Sequence, residues 1–276
     1  MRTAKPLLHG IVAVALGLGT ALPAAPAAAG PPPTRAQVAD NTDYGAIIDI
    51  LLAAAEMGQD GVYTPLEISR LIQQMIGAVN GAKVDLLTRL NSELTNDIRA
   101  RTEAAVTKVE LLRVPWAAGP AINSTHDAAY VAKNHLQTVH EDDNALDAVG
   151  RAMIVLFTQL EAAYLMVDAE DGTNLAAAQR PYFRQGLEYL IQKMRRECPP
   201  RGNPNAGVIT YSCSFGGRSI YVDYYPLTNT HRVNGGPMIS GPVTEEAVAE
   251  MLMRDTALPL AQRALDLLIS RGVPLP

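Results

Sequence analysis

The sequence predicts a mainly α-helical chain: a bundle of about five to six helices, one of them very long, with a small disulfide-pinned β-hairpin before the last. Three observations carry that expectation. Apolar residues recur at three- and four-residue steps through most of the chain, and helix-start chemistry stands where those stripes begin. One stretch near the C-terminal end switches to strict alternation around Gly216-Gly217.

The N-terminal end reads as an export signal. Arg2 and Lys5 supply positive charge, residues 7–22 form an apolar run, and Ala27-Ala28-Ala29 offers small residues for cleavage before Gly30. The run contains His9 and three glycines and falls short of the roughly 20 apolar residues a membrane span needs. The expected organisation is therefore a signal peptide over 1–29, a flexible Pro-rich lead-in over 30–40, and a single helical domain over 41–276 carrying a hairpin insertion at 207–226. A secreted, extracellular protein with no stable membrane span after signal removal follows.

The helices are expected in order. Ile47, Ile48, Leu51, Leu52 and Ala55 mark the first, ended by Gly58 and Gly61. Thr64-Pro65-Leu66-Glu67 is a capping box with proline at the first helical position, so a helix begins there. From Ile68 through Met75, Leu86, Leu94 and Ile98 to Leu112 the stripe is nearly unbroken. It reads as one very long helix over 65–113, with Gly77 and Asn80-Gly81 as the place for a bend. Ser124 or Thr125 caps the next helix, and Asp142 or Asp143 the one after it. That helix is apolar nearly all round over 152–167 except for Thr158, Gln159 and Glu161, which places it at the centre of a bundle. A further helix runs from Pro181 to Glu197, and a last one starts at Thr244 with a kink at Pro259.

Between them, 208–215 and 218–225 alternate apolar and polar residues, with Ile209, Tyr211, Cys213 and Phe215 on one face. Cys198 and Cys213 are the only cysteines, and in an exported chain they form one disulfide. Closing a loop of that length stabilises the fold by about 3 kcal/mol on the chain-entropy estimate.

Composition narrows the function classes. A hydrophobic fraction of 48% supports a sizeable core in the 276-residue chain. A net charge of −5 without any Lys/Arg block lacks the electrostatic footprint of a nucleic-acid binder. No phosphate loop, nucleophile elbow or zinc signature occurs, so neither cofactor nor catalytic residue is assigned.

Weaker constellations remain. Residues 56–67 resemble a degenerate EF-hand loop, with Asp60, the Val62 carbonyl and Glu67 as its surviving calcium ligands. His126, Asp127, His135, His140, Glu141, Asp142 and Asp143 cluster in sequence without metal-ligand spacing. A nonlocal triad would use one of the hairpin serines Ser212, Ser214 and Ser219 with His231 and Asp223. The most distinctive candidate binding face is Tyr211, Tyr221, Tyr224 and Tyr225 with Arg218 and His231, suited to a protein or glycan. Trp116 reads as a loop plug. The leading expectation is a secreted, non-enzymatic interaction protein. A membrane-active or pore-forming helical protein and an extracellular hydrolase are the alternatives.

Overall fold

The computed structural model describes residues 42–60, 64–202 and 207–276. The segments read as signal and lead-in, and Val62 of the calcium candidate, lie outside the described residues. Eight helices and a small sheet follow: α1 (Thr42–Asp60), α2 (Pro65–Arg89), α3 (Asn96–Thr107), α4 (Gly119–Val139), α5 (Asp143–Asp171), α6 (Leu175–Met194), β1 (Pro200–Arg201), β2 (Ile209–Phe215), β3 (Arg218–Tyr225), β4 (Thr230–Val233), β5 (Met238–Ser240), α7 (Glu245–Met253) and α8 (Ala257–Ser270).

The apolar helix is central, as its all-round hydrophobicity demands. Every residue of α5 over 145–163 is buried, and α5 packs against α1, α2, α3, α4, α6 and α8. Two glycines permit the closest approaches. A β-carbon on Gly150 would sit 2.7 Å from a Leu190 methyl, and one on Gly186 would sit 2.6 Å from Met153 Sδ. Among the described residues α5 is also the one helix long and apolar enough to cross a membrane, yet 83% of its most apolar window is buried in the bundle.

The starts of α2, α5 and α7 fall where local chemistry put them. Thr64 and Glu67 make the reciprocal capping box, Asp142 accepts the Ala145 N–H, and Thr244 accepts that of Ala247.

The very long helix over 65–113 is corrected. It breaks at Leu90 to Thr95, and α2 passes unbroken through Gly77 and Gly81. The Thr95 hydroxyl donates to Leu90 O at 2.7 Å and accepts the Ser92 N–H at 3.2 Å. These side-chain bonds replace the helical ladder, the competition by which Ser and Thr end helices. The longest helix is instead α5, with 29 residues. Leu94, counted in the predicted stripe, is 47% exposed.

Three other boundaries move. α4 begins at Gly119, with Pro120 in its first turn, ahead of Ser124. α6 begins before Pro181, because the Asp168 carboxylate at the end of α5 accepts the N–H groups of Leu175 and Ala176 at 2.7 and 2.9 Å. The final helix is two helices. Thr256 caps α8, and Pro259 stands in its first turn, where a backbone N–H has no helical acceptor to lose.

The hairpin forms as expected. Gly216 and Gly217 both adopt positive φ, 55° and 77°, the backbone a two-residue turn of this hand requires. It belongs to a larger antiparallel meander, order β1-β2-β3-β4-β5, because the short segments flanking it also pair. Strands of two to four residues are too short for alternation to reveal them. Tyr211, Phe215, Ile220 and Val222 are buried on the inner face, against which α7 packs. The Cys198–Cys213 disulfide joins β2 to the chain leaving α6, and is compatible with an extracellular location. Asp143 adds a second tie by accepting the Gly216 N–H at 3.0 Å while bonding Arg196.

Candidate functional site

The sheet separates residues that the sequence clusters. Tyr211, Tyr224 and His231 share the inner face in register, whereas Tyr221 and Tyr225 point to the outer one. Arg218 stands exposed at the hairpin tip opposite Phe215. His231 is buried and its Nδ1 lies 3.0 Å from Gly241 O. Burial holds the Tyr211 hydroxyl above its ordinary range. The four tyrosines, Arg218 and His231 thus form no common face. The same pleat parts the triad candidates: Asp223, bonded by the Thr210 hydroxyl at 2.8 Å, and Ser214 lie on the face opposite His231.

Glu67 and the three histidines among the metal candidates are engaged elsewhere. Glu67 Oε2 accepts both the N–H and the hydroxyl of Thr64 at 2.8 Å, and these bonds lower its pKa from the ordinary carboxylate value. Asp60 is the last residue of α1. His126 Nδ1 meets the Tyr164 hydroxyl at 2.6 Å, His135 Nε2 meets Leu94 O at 2.6 Å, and His140 Nδ1 meets Gln137 O at 2.7 Å, so the three histidines serve three separate partners. No group of three or more His, Cys, Asp or Glu side chains able to hold a metal occurs among the described residues.

Two features appear that sequence reasoning missed. One is an aromatic patch across α4, α5 and α6. His126 lies 4.6 Å from Tyr130, which lies 5.6 Å from Tyr182. The Lys133 ammonium stands 5.8 Å over the Tyr182 ring and bonds Gln185 Oε1 at 2.8 Å. These groups already satisfy one another, which leaves little for a ligand to gain.

The other is a groove of about 300 Å3 between the first turns of α2, the 3-10 turns Val109–Arg113 and Pro115–Ala117, and the end of α5. Buried Ile68, Ile72, Leu112 and Met166 form an apolar floor, and Ser69, Gln73, Arg113 and Glu170 a polar rim. Pro115 is part of the wall, and the residue after it, Trp116, is 90% exposed. The expectation of a loop plug is corrected: the turn Pro115–Ala117 carries its ring outward. Leu66 in the first turn of α2, and Leu111 and Val114 before the tryptophan, are exposed as well. A lone Trp beside a helix-ending proline was the one sequence signal available for this site.

The chain matches no family model, and neither a curated protein nor a solved structure is detectably similar to it.

Proposed function

We propose that the chain is a secreted binding protein that takes apolar side chains of a partner polypeptide in the groove between the start of α2 and the end of α5. The observation that carries this reading is an apolar-floored groove opening beside a tryptophan that is 90% exposed. Tryptophan in water gains the most from being covered, which is why it anchors interfaces. At about 300 Å3 the groove lies at the small end of the range for ligand pockets, about 300–1,000 Å3, so it fits one or two side chains better than a cofactor. Its floor favours a polypeptide over a glycan, whose hydroxyls would find few polar partners there.

The chain holds one tryptophan, so Trp116 serves as energy donor to an uncharged apolar dye, Nile red. Sensitised dye emission is expected from the native chain. It should fall several-fold in Ala169→Arg, which sets a long side chain in the mouth of the groove. Uptake undiminished by that substitution removes the groove as the site.

Export is supported by Arg2, Lys5 and the apolar run at 7–22, and by the disulfide. Recovery of the chain outside the producing cell with Gly30 as its first residue is the expected result. Retention inside with Met1 intact would contradict it.

The apolarity of α5 lends some support to a membrane-active protein. Inserting α5 into lipid, however, separates the buried Asp147–Arg151 and Glu161–Arg180 pairs from their surroundings, so this is the weaker reading.

A further inference from the structure

We infer that the occupant of the groove is a cationic amphipathic polypeptide segment, its apolar residues on the floor and a Lys or Arg against the end of α5. This rests on the proposed function and names the partner's chemistry.

The charges on the rim decide the sign. Arg113 is already answered: its Nε lies 2.6 Å from Glu110 Oε2. Glu170, on the end of α5, makes no ion pair and no side-chain hydrogen bond among the described residues. Of the two charges lining the groove, the negative one is left for a partner.

The helix carrying it reinforces that sign. The last turn of α5 holds Glu170 and Asp171 and no basic residue. Carboxylates at the negative end of a helix dipole are unfavourable for the free protein, and a partner cation relieves them. Asp168, one turn earlier, contributes less because its oxygens accept from the Thr173 hydroxyl and the Leu175 and Ala176 N–H groups. The exposed Trp116 ring presents a face that attracts Lys or Arg. A second copy of the chain is disfavoured as occupant, since its net charge is also −5.

The test titrates the full chain with three short amphipathic peptides of equal length and apolar pattern, built from Leu–Lys, Leu–Gln and Leu–Glu, and reads Trp116 emission. A saturable blue shift is expected with Leu–Lys at about tenfold higher affinity than with Leu–Gln, with Leu–Glu weakest and the preference shrinking in salt. Glu170→Gln should weaken Leu–Lys binding about three- to tenfold, and Glu170→Lys should turn the preference toward Leu–Glu; both changes are at an exposed position. Equal affinity for all three peptides overturns the cationic assignment while leaving the groove reading intact. So does Leu–Lys binding indifferent to Glu170→Gln, which marks diffuse attraction to an acidic protein. No emission change with any peptide sinks both readings. A shift that follows protein concentration alone assigns the groove to a second copy.

Discussion

Replacing Asp147 with alanine is expected to lower the unfolding free energy by about 3–5 kcal/mol, the magnitude for removing one partner of a buried ion pair. Arg151 stands in the middle of the bundle with its side chain wholly buried. Its Nε donates to Asp147 Oδ2 at 3.2 Å, another of its nitrogens donates to Asp255 O at 2.6 Å, and the guanidinium lies 4.8 Å over the Tyr44 ring. Asp147 Oδ1 accepts the Ala257 N–H at 2.5 Å. This one pair on α5 thus holds both sides of the α7–α8 junction, where Asp255 O and the Ala257 N–H have left the helical ladder. Arg89 and Asp85 extend the network to α2, and the Tyr44 hydroxyl, donating to Asp85 at 3.0 Å, brings in α1. Urea unfolding of Asp147→Ala measures the loss, and hydrogen exchange at Ala257 measures the junction. The double change Asp147→Leu with Arg151→Met should recover only part of the stability, since it removes both charges but leaves Asp255 O and the Ala257 N–H without these partners. A single variant as stable as the native chain, with Ala257 exchange unchanged, would remove the clamp from the account.

Arg180→Met should prove comparably destabilising near neutral pH, and its cost should depend on pH with a definite sign. Glu161 is completely buried, and burial raises its pKa above the ordinary carboxylate value against the opposing pull of Arg180. Arg180 supplies two nitrogens to Glu161 Oε1, at 2.8 and 2.5 Å, and Gln179 donates to Oε2 at 2.5 Å. A carboxyl whose folded pKa is raised binds more protons folded than unfolded. Its contribution is therefore full below the unfolded value, about 4.3, and is lost as pH rises through the folded pKa. Without Arg180 the folded pKa climbs further, so the loss relative to the native chain should be about 3–5 kcal/mol at neutral pH and shrink toward pH 5. Comparing the two chains at each pH cancels the titration of the other carboxylates. Glu161→Leu added to Arg180→Met should restore stability and abolish the pH dependence. A penalty that is flat with pH would show that Glu161 does not titrate in this way.

The parts of the fold that were legible in the sequence are those specified by neighbouring residues. Thr64 to Glu67 starts α2 because a hydroxyl and a carboxylate three residues apart satisfy backbone groups that the helix leaves open. Gly216-Gly217 reverses the hairpin because both positions need positive φ. The end of α2 was misplaced although its chemistry is also local. The apolar stripe continues in phase across the break, and Thr95, whose hydroxyl ends the ladder, reads as one more helical residue. Pro181 reads as a helix start because the group that starts α6, Asp168, lies at the end of another helix.

The candidate site was scarcely legible. Ile68, Ile72, Leu112 and Met166 carry the same pattern as core positions, and only the way the start of α2, the turn at Pro115–Ala117 and the end of α5 meet leaves them facing a groove. The tyrosines divide for the reverse reason: nearness in sequence suggests a shared surface, while the pleat sends successive residues to opposite sides. By itself the sequence determined the helical class, the caps of α2, α5 and α7, the hairpin turn and the disulfide, because each depends on local chemistry or on the two cysteines available. The tertiary structure alone decided which distant groups meet the buried charges of α5, Asp255 O at Arg151 and Arg180 of α6 at Glu161, and where an apolar opening remains beside Trp116, because both depend on surfaces contributed by helices far apart in the chain.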